Sequence, residues 1–433
     1  MLSVAHIFRG LKYRNFRIFF IGQSMSLMGT WMQNIAMSWL VYRMTNSPFM
    51  LGLIAFSSQV PSFFLGPLAG VIVDRHDKKK LIILTQLLSM AQAFILAVLT
   101  LTGLINVQTI FILGIFLGCV NALDIPARQA FIVEMVEDKK DLGNAIALNS
   151  LVFNSARLIG PSIAGVLIAI VGEGVCFLIN SFSFLAILKS LFSIKVKSNP
   201  RPAAQTNVMH DFKEGLKYVN NLVAIKTVVI HSAIISILGI SYVVLLPVFA
   251  KETLKGGSHT LGILMGSAGL GALMATSYLA SRRNVVGLEK MIPKATLIMA
   301  AGLMFFSFSK SLFVSMVLLG FVGFGAVIVM SACNIILQTI VDDSKRGRVI
   351  SIYAMAVVGT VPFGSLIAGG LADKVGAPLT CFIGGALSVA AAGLFIKKMK
   401  KVRDMLEHTT KIKGPGPEGS ALGSLDLAIN PED

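Results

Sequence analysis

The chain has 433 residues, 55% of them hydrophobic and only 14% charged, with a formal net charge of +17. That balance excludes a water-soluble globule of two or three domains and indicates a protein solvated by lipid. The positive charge needs no nucleic-acid partner, because a membrane chain concentrates Lys and Arg on one side as a matter of topology.

Apolar runs long enough to cross roughly 30 Å of hydrocarbon, about 20 residues each as helix, recur along the whole chain. Twelve spans are expected, at 16–43, 48–73, 81–103, 107–125, 143–171, 174–196, 225–250, 259–281, 291–310, 311–338, 349–373 and 377–398. Strands of a membrane barrel alternate polar and apolar over about ten residues, whereas these runs are continuous, so the expected class is all-α and polytopic. Lys12, Arg14 and Arg17 lead straight into a first span too long for a signal-peptide core, so that helix is expected to stay.

The first span carries Gln23, Trp31, Gln33 and Asn34, and the second carries Gln59, Gly66 and Gly70. The loop GVIVDRHDKKK (70–80) puts Asp74 and Arg75 at the inner end of the second span. Asp74 reads either as a latch toward a basic group or helix end across a seam, or as part of a solvated positive loop. The fourth span ends in Asp124, Pro126 and Arg128. Asp124 and Arg128 are one helical turn apart, as a local pair worth a few tenths of a kcal/mol or as part of an inner gate.

Within the fifth span, Arg157 shares a helical face with Gly160, Pro161, Ala164 and Gly165, and further back with Asn154, Ser150 and Asn149. A guanidinium turned to lipid costs a few to ten or more kcal/mol, so Arg157 is expected to point into protein or a wet cavity. Pro161 cannot donate to the carbonyl of Arg157, so backbone and side chain present polarity at the same depth. Two roles stay open for Arg157, substrate contact or a structural clamp between helices.

The seventh span holds His231, a lone membrane histidine that reads more readily as a packing residue than as a proton carrier. No carboxylate falls near mid-depth in any span; Asp74, Asp124 and Glu134 lie at inner boundaries and Glu173 in an outer turn. The tenth span carries Asn334 and Gln338, and Tyr353 lies in the eleventh. With Gln33, Asn34, Asn149 and Asn154 these outline a mildly polar, adaptable pocket around Arg157, although any one amide reads more readily as interhelical glue than as a ligand contact. Cys119, Cys176, Cys333 and Cys381 are scattered singly, which favours packing over a metal or redox role, and no cofactor is expected.

With both termini inside, Arg43, Lys251, Lys255, Lys310 and Lys374 lie outside, Arg157 lies in the membrane, and the other 32 of the 38 Lys and Arg lie on the inner side. An offset of 204 residues lays GPSIAGVLIAIVG (160–172) over GSLIAGGLADKVG (364–376), which marks a duplication of six helices. The copy has Val361 and Ser365 where Arg157 and Pro161 stand, so the pair is not demanded by the scaffold alone. The expected domains are a six-helix bundle at 1–196, a cytoplasmic linker at 197–224, a second bundle at 225–400 and a disordered cytoplasmic tail at 401–433, whose stretch after Lys413 lacks any apolar period. In the linker, Phe212, Leu216 and Val219 share a face, as in a short helix on the inner leaflet or an ordinary solvated connector.

NALDIPARQAFIVEMV (121–136), NAIALNSLVFNSARLIGP (144–161) and FLINSFSFLAIL (177–188) resemble the major facilitator superfamily, in the branch that contains enterobactin exporters and macrolide efflux proteins. The resemblance implies twelve transmembrane helices as two six-helix bundles, with helices 2 and 11 and helices 5 and 8 forming a sliding seam. Gly66 and Gly70, Gly160 with Pro161 and Gly165, Gly262 and Gly266, and Gly364 would supply the close approaches there. The Arg-x-x-Gly-Pro-x-x-x-Gly run is similar to the helix 5 signature of proton-coupled exporters. The 70–80 loop is similar to the signature between helices 2 and 3, except that Asp77 stands where that pattern has glycine, which puts its tight turn in doubt.

An ATP-driven pump is excluded, since no stretch matches G-x-x-x-x-G-K-[ST] and no soluble domain is long enough for a nucleotide. An enzyme would need a nucleophile with a base, or a metal set, and neither spacing occurs. The expected function is a secondary active exporter of a small amphipathic siderophore-like or drug-like molecule, in a bacterial inner membrane, as a monomer, with protons as driving partner. An importer of the same fold, or a receptor or scaffold that has lost transport, is the alternative.

Overall fold

The structure, a computed structural model, describes residues 9–195, 208–282, 285–342 and 345–413. Every regular element among these residues is helical, as lipid requires of a backbone that has no water to bond. Among the described residues, eleven helical stretches are long and apolar enough to cross a membrane. The remaining expected span forms as α1, Arg14–Thr45, a 32-residue helix. Its arginines, glutamines, asparagines and serines lower its hydropathy, and it does not join that set.

One compact unit comprises Met1–Ala204 and Ala250–Gly266. It holds α1, α2 (Pro48–Arg75), α3 (Lys78–Leu101), α4 (Val107–Met135), α5 (Leu142–Val171) and α6 (Glu173–Ser193). Here α1 packs on α5 and α6, α2 on α4, and α3 on α4 and α6. Phe16, Phe19, Ile82, Phe131, Leu148 and Ile187 fill the core at one end. The connection from α2 to α3 is short, and it works without glycine. Asp77 has φ −63°, and its carboxylate caps α3 by accepting from the Lys80 amide at 3.1 Å. The doubt about that turn is thereby removed: the residue in the glycine position begins the next helix instead of taking a left-handed conformation.

The second unit comprises Gln205–Phe249 and Ser267–Asp433. It contains α7 (Val208–Asn221), α8 (Val223–Ile235), α10 (Leu288–Phe308), α11 (Leu312–Ile340), α12 (Arg346–Val357), α13 (Val361–Val375) and α14 (Ala377–Lys413). The intervening α9, Ser258–Ala280, starts in the first unit and ends in the second. Within the second unit α10 packs on α11 and α14, and α14 on α8.

Three expectations need correction here. The seventh span is not one α-helix: after α8 it winds as π-helix at Ser236–Ile240, as 3₁₀-helix at Ser241–Leu245 and again as π-helix at Phe249–Thr253. Pro247 cannot donate to the carbonyl of Val243, and the tighter and looser turns absorb the loss. The eleventh span divides at residues 358–360 into α12 and α13, with Pro362 in the first turn of α13. Ser236 Oγ donates to the Val357 carbonyl at 2.5 Å, closing the exposed end of α12. The last helix does not stop at 398 but continues to Lys413, with Val402 and Leu406 fully buried, so 401–413 are helical. The sequence beyond Lys413, read as disordered, lies outside the described residues.

The linker helix also differs from its expected form. Val219 is buried but Leu216 is 42% exposed. The contact face of α7 runs through Gly215, where an added Cβ would lie 3.0 Å from Ile352 Cδ1. Glu214 pairs with Lys345 and, at 2.5 Å, with Arg348, while the Tyr218 hydroxyl donates to Asp342 at 3.0 Å. The helix is thus docked on α12 by charge and packing and is not a free connector.

The duplication is visible in the backbone. Gly172 ends α5 with φ 81° and its matched residue Gly376 ends α13 with φ 85°. Both lie in the left-handed region open to glycine.

Candidate functional site

The site forms where α1 and α5 touch. At Gly160 a Cβ would lie 2.7 Å from Trp31 Cβ and 3.2 Å from the Met28 carbonyl, so only glycine lets the two backbones come this close. One turn before Gly160 on α5 is Arg157, and one turn before that is Phe153. The Arg157 guanidinium carbon lies over the Trp31 ring, 5.9 Å from its centroid. Phe153 meets the same ring edge-on, at 5.7 Å and 73°. Leu27, Val152 and Ala156 are buried behind this group.

Arg157 itself is partly exposed. Among the described residues no carboxylate lies within ion-pair distance of it. A cation held on an indole face has part of its charge balanced by the ring quadrupole and keeps its N–H donors for another acceptor. Asn34, one turn from Trp31, is exposed, and Asn149 and Asn154 on α5 are partly buried. The Asn154 amide donates to the Ser150 carbonyl of its own helix at 2.9 Å.

Gln33 is placed otherwise. It is 4% exposed, donates to Gln92 Oε1 at 3.1 Å and accepts from Asn180 Nδ2 at 2.7 Å, which ties α1 to α3 and α6. Its amide acts as interhelical glue. Asn334 belongs to the second unit, is partly buried and accepts from Gln338 at 3.3 Å.

The small residues divide the same way. Gly165 and Gly262 face one another, a Cβ on Gly165 coming within 3.0 Å of Gly262 Cα, and Ser258 Oγ donates to the Gly165 carbonyl at 3.0 Å. Pro161 is buried, with its carbonyl against Gly262, and Gly266 lies against Ser162. All of these belong to the first unit. Gly364 packs on Ile237 of the second unit. An added Cβ on Gly66 or Gly70 would meet nothing within 4 Å.

Of the gating residues, Asp124 is 2% exposed and accepts from Thr85 Oγ1 and Gln86 Nε2, both at 2.7 Å, while also pairing with Arg128. The local pair expected from spacing is therefore present and is anchored to α3 as well. Arg75 is exposed at the end of α2, and the side chain of Asp74 lies outside what the structure describes. Nearby, Lys78 pairs with Glu134 at 2.5 Å and Lys79 donates to the Ile194 carbonyl at 2.8 Å, so two lysines of the loop are employed across helices.

The connection into α5 is fastened to the chain start. Asp141 accepts from the Tyr13 hydroxyl at 2.7 Å and pairs with Lys12 at 2.6 Å and Arg9 at 3.2 Å. Burial pushes its carboxyl up, but the bonds from Lys12 and Tyr13 and the nearby charges outweigh this and hold it below the usual carboxylate range. His231 is buried, shares a hydrogen bond with Thr296 at 3.0 Å and packs on Phe395 at 4.8 Å, as expected of a packing histidine.

Sequence reasoning missed one cluster. Tyr42, 1% exposed at the end of α1, donates to Glu252, while Lys251 donates to Asn46 at 2.6 Å and lies 5.4 Å from the Tyr42 ring centroid. Next to it Arg43 makes a two-pronged contact with Glu173, at 2.8 and 3.1 Å. The available signal was the adjacent Lys251 and Glu252 at the end of a long apolar run.

A family profile described as transmembrane secretion effector matches residues 6–420. The chain is 28% identical over 396 residues to the staphyloferrin A transporter of Staphylococcus aureus (strain NCTC 8325 / PS 47), covering 91% of this chain and 98% of that one. It is 24% identical over 393 residues to the multidrug efflux pump Tap of Mycobacterium tuberculosis (strain ATCC 25618 / H37Rv), covering 88% and 92%. A POT family transporter solved with a thioalcohol-conjugated peptide shares the fold at a TM-score of 0.70 and 11% identity, over 90% of this chain and 96% of that one. With a continuous profile match over most of its length and eleven apolar stretches of membrane-crossing length, the chain is a multi-pass membrane transporter of the major facilitator superfamily and belongs to its transmembrane secretion effector family.

Proposed function

We propose that the protein is a secondary active exporter of a small amphipathic organic molecule carrying an anionic group. The observation that carries this reading is Arg157, partly exposed on Trp31 with no protein carboxylate in reach among the described residues. A planar cation flanked by Trp31 and Phe153 suits an acid attached to an apolar or aromatic body, since carboxylate and ring are then met by adjacent groups. Asn34, Asn149 and Asn154 supply hydrogen bonding around it. The named functions of the staphyloferrin A transporter and the Tap pump favour a siderophore or a drug-like substrate.

In this reading α1 and the eleven apolar stretches make twelve spans in two bundles, with both termini inside a bacterial inner membrane and the monomer as working unit. The excess of inner Lys and Arg supports that orientation. The chain alternates between inward-open and outward-open states around Arg157, with Asp74, Arg75, Asp124 and Arg128 at the inner gate. The small-residue contact of α5 with α9 supplies a surface on which helices can slide. Proton entry drives export: one charge gains about 2.3 kcal/mol per 100 mV, which sustains a gradient of roughly 40-fold.

The deciding experiment compares metabolites and drug sensitivity of cells with and without the gene, under iron limitation and in rich medium, alongside uptake into inside-out vesicles. Proton-driven uptake into those vesicles, with the substrate retained in cells lacking the gene, is the expected result. Uptake only into right-side-out vesicles would make the protein an importer, and no substrate-dependent flux in either would leave a receptor or scaffold.

A further inference from the structure

Gln33 is one of three buried amides that run as a chain across four helices of the first unit. Each donates to the next: Asn180 Nδ2 of α6 to Gln33 Oε1 of α1 at 2.7 Å, Gln33 Nε2 to Gln92 Oε1 of α3 at 3.1 Å, and Gln92 Nε2 to the Leu113 carbonyl of α4 at 3.5 Å. At the other end the Ser183 hydroxyl, which donates to the Asn180 carbonyl at 2.7 Å, lies 3.1 Å from Asn180 Oδ1. Turning any one of these amides over would set N–H against N–H or oxygen against oxygen, so the chain fixes all three orientations together.

Cohesion alone does not require such a chain. α1 already meets α6 through glycines: an added Cβ would lie 2.9 Å from the Ala186 carbonyl at Gly22 and 2.5 Å from Asn180 Oδ1 at Gly29. Contacts of this kind bring backbones close, but a smooth glycine surface offers little resistance to rotation of a helix about its own axis or to sliding along it. Hydrogen bonds do resist, because they weaken steeply with angle and distance. Gln33 is bonded at both ends of its amide, to α3 and to α6, so it sets the rotation and the height of α1.

That rotation decides where Trp31 points. At about 100° per residue, Gln33 and Gly29 lie about 40° apart on one face of α1, and Trp31 lies about 200° from each. Its face is the one that meets Gly160 of α5, and there the indole carries the Arg157 guanidinium at 5.9 Å. A cation is drawn to a ring face only within roughly 6 Å of its centroid. With side chains reaching about 5–6 Å from the helix axis, a turn of α1 by about 20° moves the ring by about 2 Å, which is enough to break the stack.

We propose that Gln33, Gln92 and Asn180 are positioning residues for the substrate: through α1 they hold the Trp31 ring against Arg157 and so fix where the anionic group is received. The inference rests on the reading of Arg157 as a substrate contact. Gln92 and Asn180 act from α3 and α6, with Gln33 between them and the indole.

The chain has two tryptophans, so Trp39→Phe leaves Trp31 as the single one. In that purified full-length protein, without ligand, Gln92→Met and Asn180→Leu should each change the Trp31 fluorescence lifetime. Arg157→Ala should alter the lifetime in the parent and no longer do so in either variant. Gln92→Asn, which keeps an amide but shortens its reach, gives the same readout with less disturbance to folding. Gln23→Leu removes another buried amide of α1, one whose carbonyl oxygen has no hydrogen-bond partner, and should leave the lifetime as it is. Anthracenecarboxylate, an aromatic acid that accepts excitation energy from tryptophan, should bind the parent and bind each chain variant about fivefold more weakly, the equivalent of one interhelical hydrogen bond.

A Trp31 lifetime unchanged by the Gln92 and Asn180 variants overturns the proposal. So does an equal change in Gln23→Leu, which would make the effect a general loosening of α1. Lifetimes that shift as stated, in a parent that binds no anthracenecarboxylate, uphold the positioning and count instead against the anionic-substrate reading.

Discussion

Tyr42 and Glu252 are joined by a hydrogen bond between a buried phenol and an exposed carboxylate. The asymmetry of burial makes the two partners unequal under mutation. Glu252→Ala leaves the phenol buried without an acceptor, at a cost of about 1–3 kcal/mol, whereas Tyr42→Phe returns the carboxylate to water and costs about 0.5–1.5 kcal/mol. Thermal unfolding of the two single variants and the double variant should show Glu252→Ala as the most damaging change, partly rescued by adding Tyr42→Phe. Equal single effects that add in the double variant would show that the bond is not formed.

Arg157→Ala should abolish transport with little change in membrane level or unfolding temperature. The substitution removes a cation resting on a partly exposed indole, an interaction worth about 0.5–1 kcal/mol. Arg157→Lys retains the charge but not the fork of donors, so part of the flux should survive. Trp31→Ala should raise the substrate concentration needed for half-maximal flux more than it lowers the maximal rate. Misfolded or degraded Arg157→Ala protein would assign the residue to a structural clamp instead.

Why the spans were legible and the site only partly so follows from what each depends on. A helix in lipid must be apolar along its length, and that property is local, so the runs can be read directly. Hydropathy does not distinguish α from π or 3₁₀ winding, so the changes at Ser236, Ser241 and Phe249 were hidden inside one apolar run. The stripe of Arg157, Gly160 and Pro161 told which face of α5 is special but not which neighbour it meets; Trp31 is chosen by tertiary packing. Gln33 and Asn34 are adjacent amides with the same composition signal, yet one is buried between helices and the other exposed. A side chain's partner on another helix has no imprint in a single sequence.

The glycines separate packing from mobility. Gly165→Ala places a methyl 2.8 Å from the Ser258 carbonyl and 3.0 Å from Gly262 Cα, both backbone atoms, so the helices must part. Such overpacking costs about 1–3 kcal/mol. Gly66→Ala and Gly70→Ala meet nothing within 4 Å and should gain up to about 1 kcal/mol from helix propensity. If unfolding temperatures follow this order while transport falls in all three, Gly66 and Gly70 are needed in a state with different contacts. Unchanged transport in Gly66→Ala and Gly70→Ala would remove these two residues from the seam.

Glu214 should make the docking of α7 depend on acid pH. The hydrogen bond from Lys345 comes first in lowering its carboxyl below the usual 4.5; burial opposes this, and the charges of Arg348, Lys345 and His210 add to it. A carboxyl whose folded value is depressed stabilises the folded arrangement above its unfolded value and loses that contribution as pH falls through the folded one. Docking should therefore be constant from about neutral pH down to near 4.5 and weaken only below it. A spin label at Asn220→Cys, with Cys119→Ser to remove the partly exposed native thiol, reports docking as restricted motion. Glu214→Gln should mobilise the label at every pH, with Tyr218 and Asp342 retaining a residual tether. Release of the label midway between neutral pH and 4.5 would mean that Glu214 is not held by Lys345 and Arg348.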